Sequence, residues 1–557
     1  MCAPVRRMVA QPYLKGNAPH RPSKSDGPAI CWHPTIQTAL ADVRRCRDLQ
    51  LLGSYHQCMW MLGGVVVALA LTAAALQYPA LVVVLLIATV GSLLLLGRSH
   101  LTVPLTIIAA ATALPAFVPT GFSVGGFSVR VYELLLVGAF FWAIAQPARN
   151  TTLRTVVVLL LWLLLGTATA WVAAGAQLVR IVGDVRYPAE MVMAVIVAAA
   201  AVAKPGLVAA CMRAMRFSLW ISASVIALAS AGLISIAGRS EAASLFESGN
   251  DSGTATRFLT DATFFALATL AVCTAIAVDG RISLLRSWSW SVPAILTLLL
   301  AFSRNHLLGI GVTVICAVLL VRSWGAFRRA FAGAILVAGV AGVIVTAAPL
   351  LSDVPGGSWF ASQVSAYSSR VVGGLRSDAL ARDSSAAYRE HELGNLRAAF
   401  DTAPAIGHGF GYAYQAPRGE KGTFWYDRAP YYSHNFYWWT LAKTGVVGLT
   451  LVLLAMLGPL LSSVRQTSRN PQLVCVAATL AGLLAVAWFA PLPLEAPNSL
   501  LIGSFLGAVL GFASTPHPYK SRNSIREDGG ELVLNRSASL VHAGPRPPNS
   551  LAGPYER

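Results

Sequence analysis

Between Tyr431 and Gly448 the chain reads Tyr-Tyr-Ser-His-Asn-Phe-Tyr-Trp-Trp-Thr-Leu-Ala-Lys-Thr-Gly-Val-Val-Gly. His434 stands where a polar, aromatic-rich loop passes into an apolar span. At about 100° per residue, His434, Trp438, Gly445 and Gly448 fall along one stripe of a continuous helix. The stripe puts an ionisable group at a water boundary above a smooth glycine groove, which suits chemistry on something held in lipid. Imidazole suits proton abstraction because its ordinary pKa lies near neutrality, and the positive field at a helix N-terminus favours its uncharged form.

The elements that must position this histidine are membrane spans. Of 557 residues, 55% are hydrophobic and 12% charged. The apolar runs are too long and too many for a soluble core, and they are apolar on every side, as helices in lipid are. The sequence predicts an all-α polytopic membrane protein with about fourteen spans. They lie near 60–77, 79–97, 101–118, 131–146, 153–175, 187–204, 215–237, 258–279, 284–302, 305–321, 329–350, 435–461, 472–490 and 497–513. One large outer loop interrupts them.

Arginine and lysine favour one set of loops by roughly two to one, and that set is assigned to the cytoplasm. The assignment gives a basic cytoplasmic tail over 1–57, spans over 58–350, an extracytoplasmic loop over 351–433, spans over 434–513 and a disordered cytoplasmic tail over 514–557. The formal charge of +18 comes largely from the inner loops and tails. Topology and anionic lipid explain it, so nucleic acid is not implied. No cleaved signal peptide is expected from residues 1–57. None of the eight cysteines falls in 351–433, and no metal-binding spacing is visible. The outer arginines Arg130, Arg180, Arg186, Arg239, Arg257 and Arg304 sit where topology disfavours them.

Segment 351–433 carries a helical stretch near 377–402, where Leu393, Leu396 and Phe400 repeat at helical spacing. A glycine-punctuated turn, Pro404-Ala-Ile-Gly407-His408-Gly409-Phe410-Gly411, follows. Taken in order, Ser303-Arg304, then Arg389 or Arg397, then this turn, then His434-Asn435 followed after nine intervening residues by Gly445, resemble the O-antigen ligase and polymerase superfamily. The likeness covers about residues 250–450, and the His-Asn-x9-Gly element is its most specific part. No tryptophan closely follows Arg389 or Arg397, which departs from the family pattern and leaves open which of the two is equivalent.

The resemblance implies a C-type glycosyltransferase fold in the cytoplasmic (inner) membrane with its active face outside. It also implies transfer of a saccharide from a polyprenyl-diphosphate carrier to the hydroxyl of a glycan or glycolipid acceptor, with membrane lipid as surroundings and without metal or cofactor. The residues make chemical sense of this. His434 is the candidate general base. Arg304 and Arg389 are candidate diphosphate clamps, because a guanidinium fork gives phosphate paired hydrogen bonds and keeps its charge. Arg397, Arg257, Arg186, Arg180, Asn435, Trp438, Gly407, Gly409 and Gly445 are candidate substrate contacts.

Blander roles compete with these. His434 is expected to cap a helix if it has no other part. Arg186 has Asp184 or Glu190 as possible ion-pair partners, and Arg257 has Asp251 or Asp261. Gly445 with Gly448 suits a helix-packing notch. The aromatics around His434 suit an interfacial belt. Glu390, Glu392, Glu420 and Asp427 are rival bases, but no defined spacing pairs them. The competing function is a transporter or lipid-linked saccharide flippase, which calls for internal symmetry and broken helices near the midplane. No repeat of span pattern is visible between the halves.

Overall fold

Apolar runs that satisfy their backbone hydrogen bonds internally become helices, and these dominate the computed structural model. It describes residues 98–124, 127–174, 177–236, 239–241, 257–282, 287–368, 371, 373, 384–466 and 470–514. The expected spans 60–77 and 79–97, and both tails, lie outside the described residues.

The helices are α1 (Ser99–Ala111), α2 (Val131–Ile144), α3 (Asn150–Ala174), α4 (Leu178–Val202), α5 (Pro205–Ser230), α6 (Ala262–Asp279), α7 (Trp288–Leu300) and α8 (Arg304–Val321). They continue as α9 (Trp324–Ala347), α10 (Gly357–Tyr367), α11 (Ser384–Thr402), α12 (Phe424–Asp427), α13 (Phe436–Ser463), α14 (Pro471–Val486) and α15 (Asn498–Ser514). Every expected span within the described residues is occupied by a helix. Seven of these helices are long and apolar enough to cross a membrane, and five shorter apolar ones accompany them. Outward-facing Phe331, Leu336, Val337 and Val343 of α9 suit a lipid surrounding and would be costly in water. The chain is a multi-pass membrane protein.

Among the described residues the departure from an all-α chain is two small antiparallel hairpins. One pairs β1 (Gly121–Val124) with β2 (Phe127–Arg130), and the other pairs β3 (Arg239–Glu241) with β4 (Arg257–Leu259). Both lie at the end of the bundle that carries His434.

Short connections make successive spans alternate in direction. Helix α15 lies along α4, α14 along α8, and α13 along α3. A Cβ on Gly503 would stand 2.3 Å from the Met191 carbonyl oxygen, and one on Gly507 would stand 2.3 Å from that of Val195. A small residue every fourth position therefore lets the α15 and α4 backbones approach within carbonyl contact. Trp162, Phe410, Phe436 and Trp439 fill the centre near α3 and α13, with the Phe410 and Trp439 rings stacked at 5.7 Å. The expected interfacial belt is thus partly core: Phe436 and Trp439 are buried because the loop carrying Phe410 packs down onto them.

Helix α13 is broken at Gly445, whose φ of 63° and ψ of −165° are non-helical. The glycine-punctuated turn fills the break. His408 N–H donates to the Ala442 carbonyl at 3.1 Å, and Gly409 N–H donates to that of Lys443 at 2.7 Å. In return Val446 N–H reaches the Pro404 carbonyl at 2.9 Å, and Val447 N–H that of Ala405 at 3.1 Å. An interrupted helix at membrane depth is tolerable only when its freed groups find partners. This interruption corrects the single-helix stripe: Gly445 abuts the 404–409 turn and does not line a groove open to lipid.

Gly445→Ala should therefore destabilise the protein. Its φ is unfavourable for alanine and a Cβ would stand 2.3 Å from the Ala405 carbonyl carbon. The strain alone is worth about 1–3 kcal/mol. A lower thermal midpoint in detergent is expected, while Gly458→Ala, where no neighbour lies within 4 Å, should leave the midpoint in place.

Candidate active site

Helix α11 presents Tyr388, Glu392 and Leu396 along one face, four residues apart, toward the start of α13. Leu396 joins Ala399, Tyr414 and Ala442 in a buried cluster, which fixes the distance between α11 and α13. Glu392 is thereby driven into the interior at 1% exposure, where a carboxylate needs several donors.

It finds them around His434. The His434 backbone N–H donates to Glu392 Oε2 at 2.9 Å, and ring Nδ1 lies 3.3 Å from both carboxylate oxygens. Ser433 and Tyr414 hydroxyls donate to the same carboxylate, each at 3.3 Å. An ionised carboxylate only accepts, so Nδ1 carries the proton in this pairing and Nε2 is left for other partners. The His434 side chain keeps 22% of its surface exposed, with the rings of Tyr388 and Tyr432 edge-on at 5.9 and 5.4 Å.

The capping role considered for His434 belongs to its neighbour. Asn435 Oδ1 accepts from the backbone N–H groups of Tyr437 and Trp438, both at 3.1 Å, as an N-cap should. This occupies the Asn435 oxygen and aims His434 away from the helix axis.

On the far side of Tyr432 lies a second, half-buried acid. Tyr432 Oη donates to Glu495 Oε1 at 2.5 Å, and Asn498 Nδ2 to Glu495 Oε2 at 3.3 Å. Burial pushes Glu495 above the ordinary carboxylate range, and the Tyr432 bond only partly offsets it. Burial, helped by Glu495, also pushes the Tyr432 phenol well up, while the charge of Arg389 pulls it down. The charge of Arg389 thus acts on Tyr432. Arg397 stands two turns further along α11, its guanidinium 5.2 Å from the Trp438 ring centre, and Trp438 in turn meets Phe400 at 6.1 Å.

Arg304 opens α8, with Ser303 before it. Asn305 Nδ2 donates to the Phe489 carbonyl at 3.4 Å, and Phe436 N–H donates to the Ala487 carbonyl at 3.1 Å. The start of α8, the end of α14 and the start of α13 therefore meet at the His434 end. Arg257 Nε caps the end of α7 through the Ala301 carbonyl at 3.0 Å. Its expected partner Asp261 pairs instead with Arg130 at 2.7 Å, and Asp251 lies outside the described residues. Arg186 pairs with Glu133 and, at 3.7 Å, with Glu190, not with Asp184. Arg180 donates to the Asp427 carbonyl at 2.9 Å and lies 4.7 Å from the Tyr431 ring centre. His408 closes α11, with Nε2 2.9 Å from both the Ala399 carbonyl and Thr402 Oγ1. Gly407 and Gly409 are spent on backbone approach, to Lys443 and Ala170 respectively.

Two residues escaped the sequence reading. Glu392 was visible only as one acid among several, since its burial depends on how α11 packs. Lys443 is fully buried; its Nζ donates to Asp184 Oδ2 at 2.5 Å and to the Tyr412 carbonyl at 2.6 Å. Asp184 also accepts from Gly411 N–H at 2.7 Å. A lysine inside an apolar span is the signal that finds this pair, because such a charge is costly unless paired.

Residues 290–453 match the family model described as O-antigen ligase. That match supports the O-antigen ligase/polymerase superfamily. It runs from α7 through the loop into the middle of α13, so Arg304, Arg389, Glu392, the glycine turn, His434 and Gly445 all fall inside it. It supports ligase- or polymerase-type glycosyltransferase chemistry in general. A comparison with curated proteins finds none that matches.

The buried Lys443–Asp184 pair anchors the turn under the site. Removing one partner strands a buried charge, at a cost of about 3–5 kcal/mol. Lys443→Met and Asp184→Asn should each lower the thermal midpoint, and the double variant should lose less than the sum. Additive losses would mean the two groups do not stabilise one another.

Proposed function

We propose that the protein transfers a saccharide from a polyprenyl-diphosphate carrier to an acceptor hydroxyl at the extracytoplasmic face of the cytoplasmic membrane. The observation that carries this is the Glu392–His434 pair, a part-exposed imidazole whose Nδ1 is held by a buried carboxylate. The carboxylate orients the ring and stabilises the imidazolium that forms when Nε2 takes a proton, the logic of an orienting acid behind a histidine base.

In the reaction, Nε2 of His434 removes the acceptor hydroxyl proton as that oxygen attacks the anomeric carbon. The bond from that carbon to the diphosphate oxygen breaks, and the electron pair leaves with the polyprenyl diphosphate. Arg304 and Arg389 sit at the same end of the bundle and supply permanent positive charge for the departing group. The action of its charge on Tyr432 favours Arg389 over Arg397 for this part, while Arg397 lies against the Trp438 ring. Arg130 and Arg186 are neutralised by acids and hold the scaffold. No metal enters this scheme, because guanidinium charge takes the part a cation would play.

The arginine bias supports a His434 end that faces outward. Among the described residues, Arg149, Arg154, Lys204, Arg213, Arg281, Arg322, Arg328 and Arg465 gather at the opposite end, as cytoplasmic loops require. The spans, the buried Lys443–Asp184 pair and the break at Gly445 are features a transporter would share. The backbone groups freed by the break are taken by the 404–409 turn, which leaves no open ion site there.

The test is a transfer assay with purified protein and a synthetic polyprenyl-diphosphate glycan. His434→Ala should lose about 10²–10⁴-fold in turnover. Glu392→Gln should lose at least about tenfold in kcat with little change in donor KM, because tautomer control and not binding is removed. Full transfer by His434→Ala would end the proposal.

A further inference from the structure

At the end opposite His434, α3, α13 and α15 leave a cavity of about 290 Å³ between them. Its polar lining comes from Arg149, Asn150, Thr151, Ser462, Gln466 and Ser514, and its apolar wall includes Leu510. No acidic side chain lines it. Arg149 Nη1 is shielded from solvent and has no hydrogen-bond partner. A buried guanidinium N–H left unpaired is costly, so its presence points to a partner that arrives from outside the chain.

A second set of donors lies beside the same space, at a helix start whose Asn150 and Thr151 line it. The ladder of α3 begins with the Leu153 N–H bonded to the Arg149 carbonyl at 3.0 Å. The N–H groups of Asn150, Thr151 and Thr152 precede that bond, at the positive end of a 25-residue helix. Thr151 Oγ1 and Ser514 Oγ lie 3.2 Å apart and tie the two helices at the rim. The cavity thus offers a fixed cation and helix-start N–H groups beside aliphatic wall at a membrane-bounded end of the bundle.

We propose that this cavity binds the phosphate of an anionic membrane phospholipid. The phosphodiester would take Arg149 and the start of α3, and its glycerol would lie against Leu510. The shared chemistry is a singly charged phosphate with a small headgroup; a choline cation would be repelled by Arg149. Bound lipid would clamp α3, α13 and α15 together. The site owes nothing to the transferase reading, because none of its residues contacts the His434 cluster.

The full chain, purified and reconstituted in nanodiscs, tests this through lipid retained in native mass spectra and through thermal midpoint. Phosphatidylglycerol should be retained and should raise the midpoint of the wild type, whereas phosphatidylcholine should do neither. Arg149→Gln should lose roughly tenfold in phosphatidylglycerol affinity, the size of one charged hydrogen-bonded contact. Arg149→Lys should keep most of it, and Arg154→Gln, on the same helix but outside the cavity, should behave as wild type. A midpoint raised by inorganic phosphate alone, and lost in Arg149→Gln, would support the phosphate chemistry and assign a free ion as its source. Equal retention of both lipids by the wild type, a comparison that needs no variant, would overturn the proposal. So would unchanged phosphatidylglycerol affinity in a folded Arg149→Gln.

Discussion

The architecture depends on four backbone hydrogen bonds across the break at Gly445. An unbroken α13 would satisfy its own carbonyls and leave the 404–411 turn with nothing to hold. The break frees the Ala442 and Lys443 carbonyls and the Val446 and Val447 N–H groups, and the turn supplies the complementary set. Because burying such groups unpaired costs kilocalories each, turn and helix can only be exchanged together. The loop segment behind the turn is thereby fastened into the membrane bundle and cannot float above it.

The position of α11 follows from that fastening. The helix ends at Thr402, immediately before the turn, and His408 closes its last carbonyls. With its C-terminus pinned to α13 by the turn and its flank by Leu396 and Ala399, α11 has little freedom left to roll. Glu392 is then directed at His434 by the packing of residues at least a turn away. The Lys443–Asp184 pair acts from below, holding α4 against the same turn through Gly411 and Tyr412. The geometry that fixes the imidazole is therefore built from backbone contacts and buried charge remote from the imidazole itself.

How much of this was legible in the sequence differs by kind of feature. The spans were legible because lipid imposes one rule, length of apolar run, and each described span holds a helix. Their ends were less so. The run 101–118 stops as a helix at Ala111, where the chain turns at Pro115 into a bridge with Ile236. His434, Asn435, Gly407, Gly409 and Gly445 were legible as a motif, but the motif did not say that the glycines serve mutual backbone approach while Asn435 caps. Glu392 was not legible, because nine residues before the Asp-Thr-Ala-Pro run nothing distinguishes a buried acid from a solvated one. Glu190 was legible as a partner of Arg186 from its position one turn along the helix, but Glu133, which reaches Arg186 from another helix, was not, and neither was the pairing of Asp261 with Arg130 in place of Arg257.

Charge at the His434 end has a further consequence for chemistry. Had the arginines there stood alone, their repulsion would have spread the loop and the hairpin apart. Glu133, Asp261 and Asp184 absorb Arg186, Arg130 and Lys443, each pairing two elements distant in sequence. Those bonds use positive charge as structure. Arg304 and Arg389 differ in placement, since they open α8 and stand one turn before Glu392 on the helix that faces His434. These ion pairs hold the elements that carry Arg304, Arg389 and His434 at one end of the bundle, which is the physical support for the proposal that a phosphorylated donor is held there.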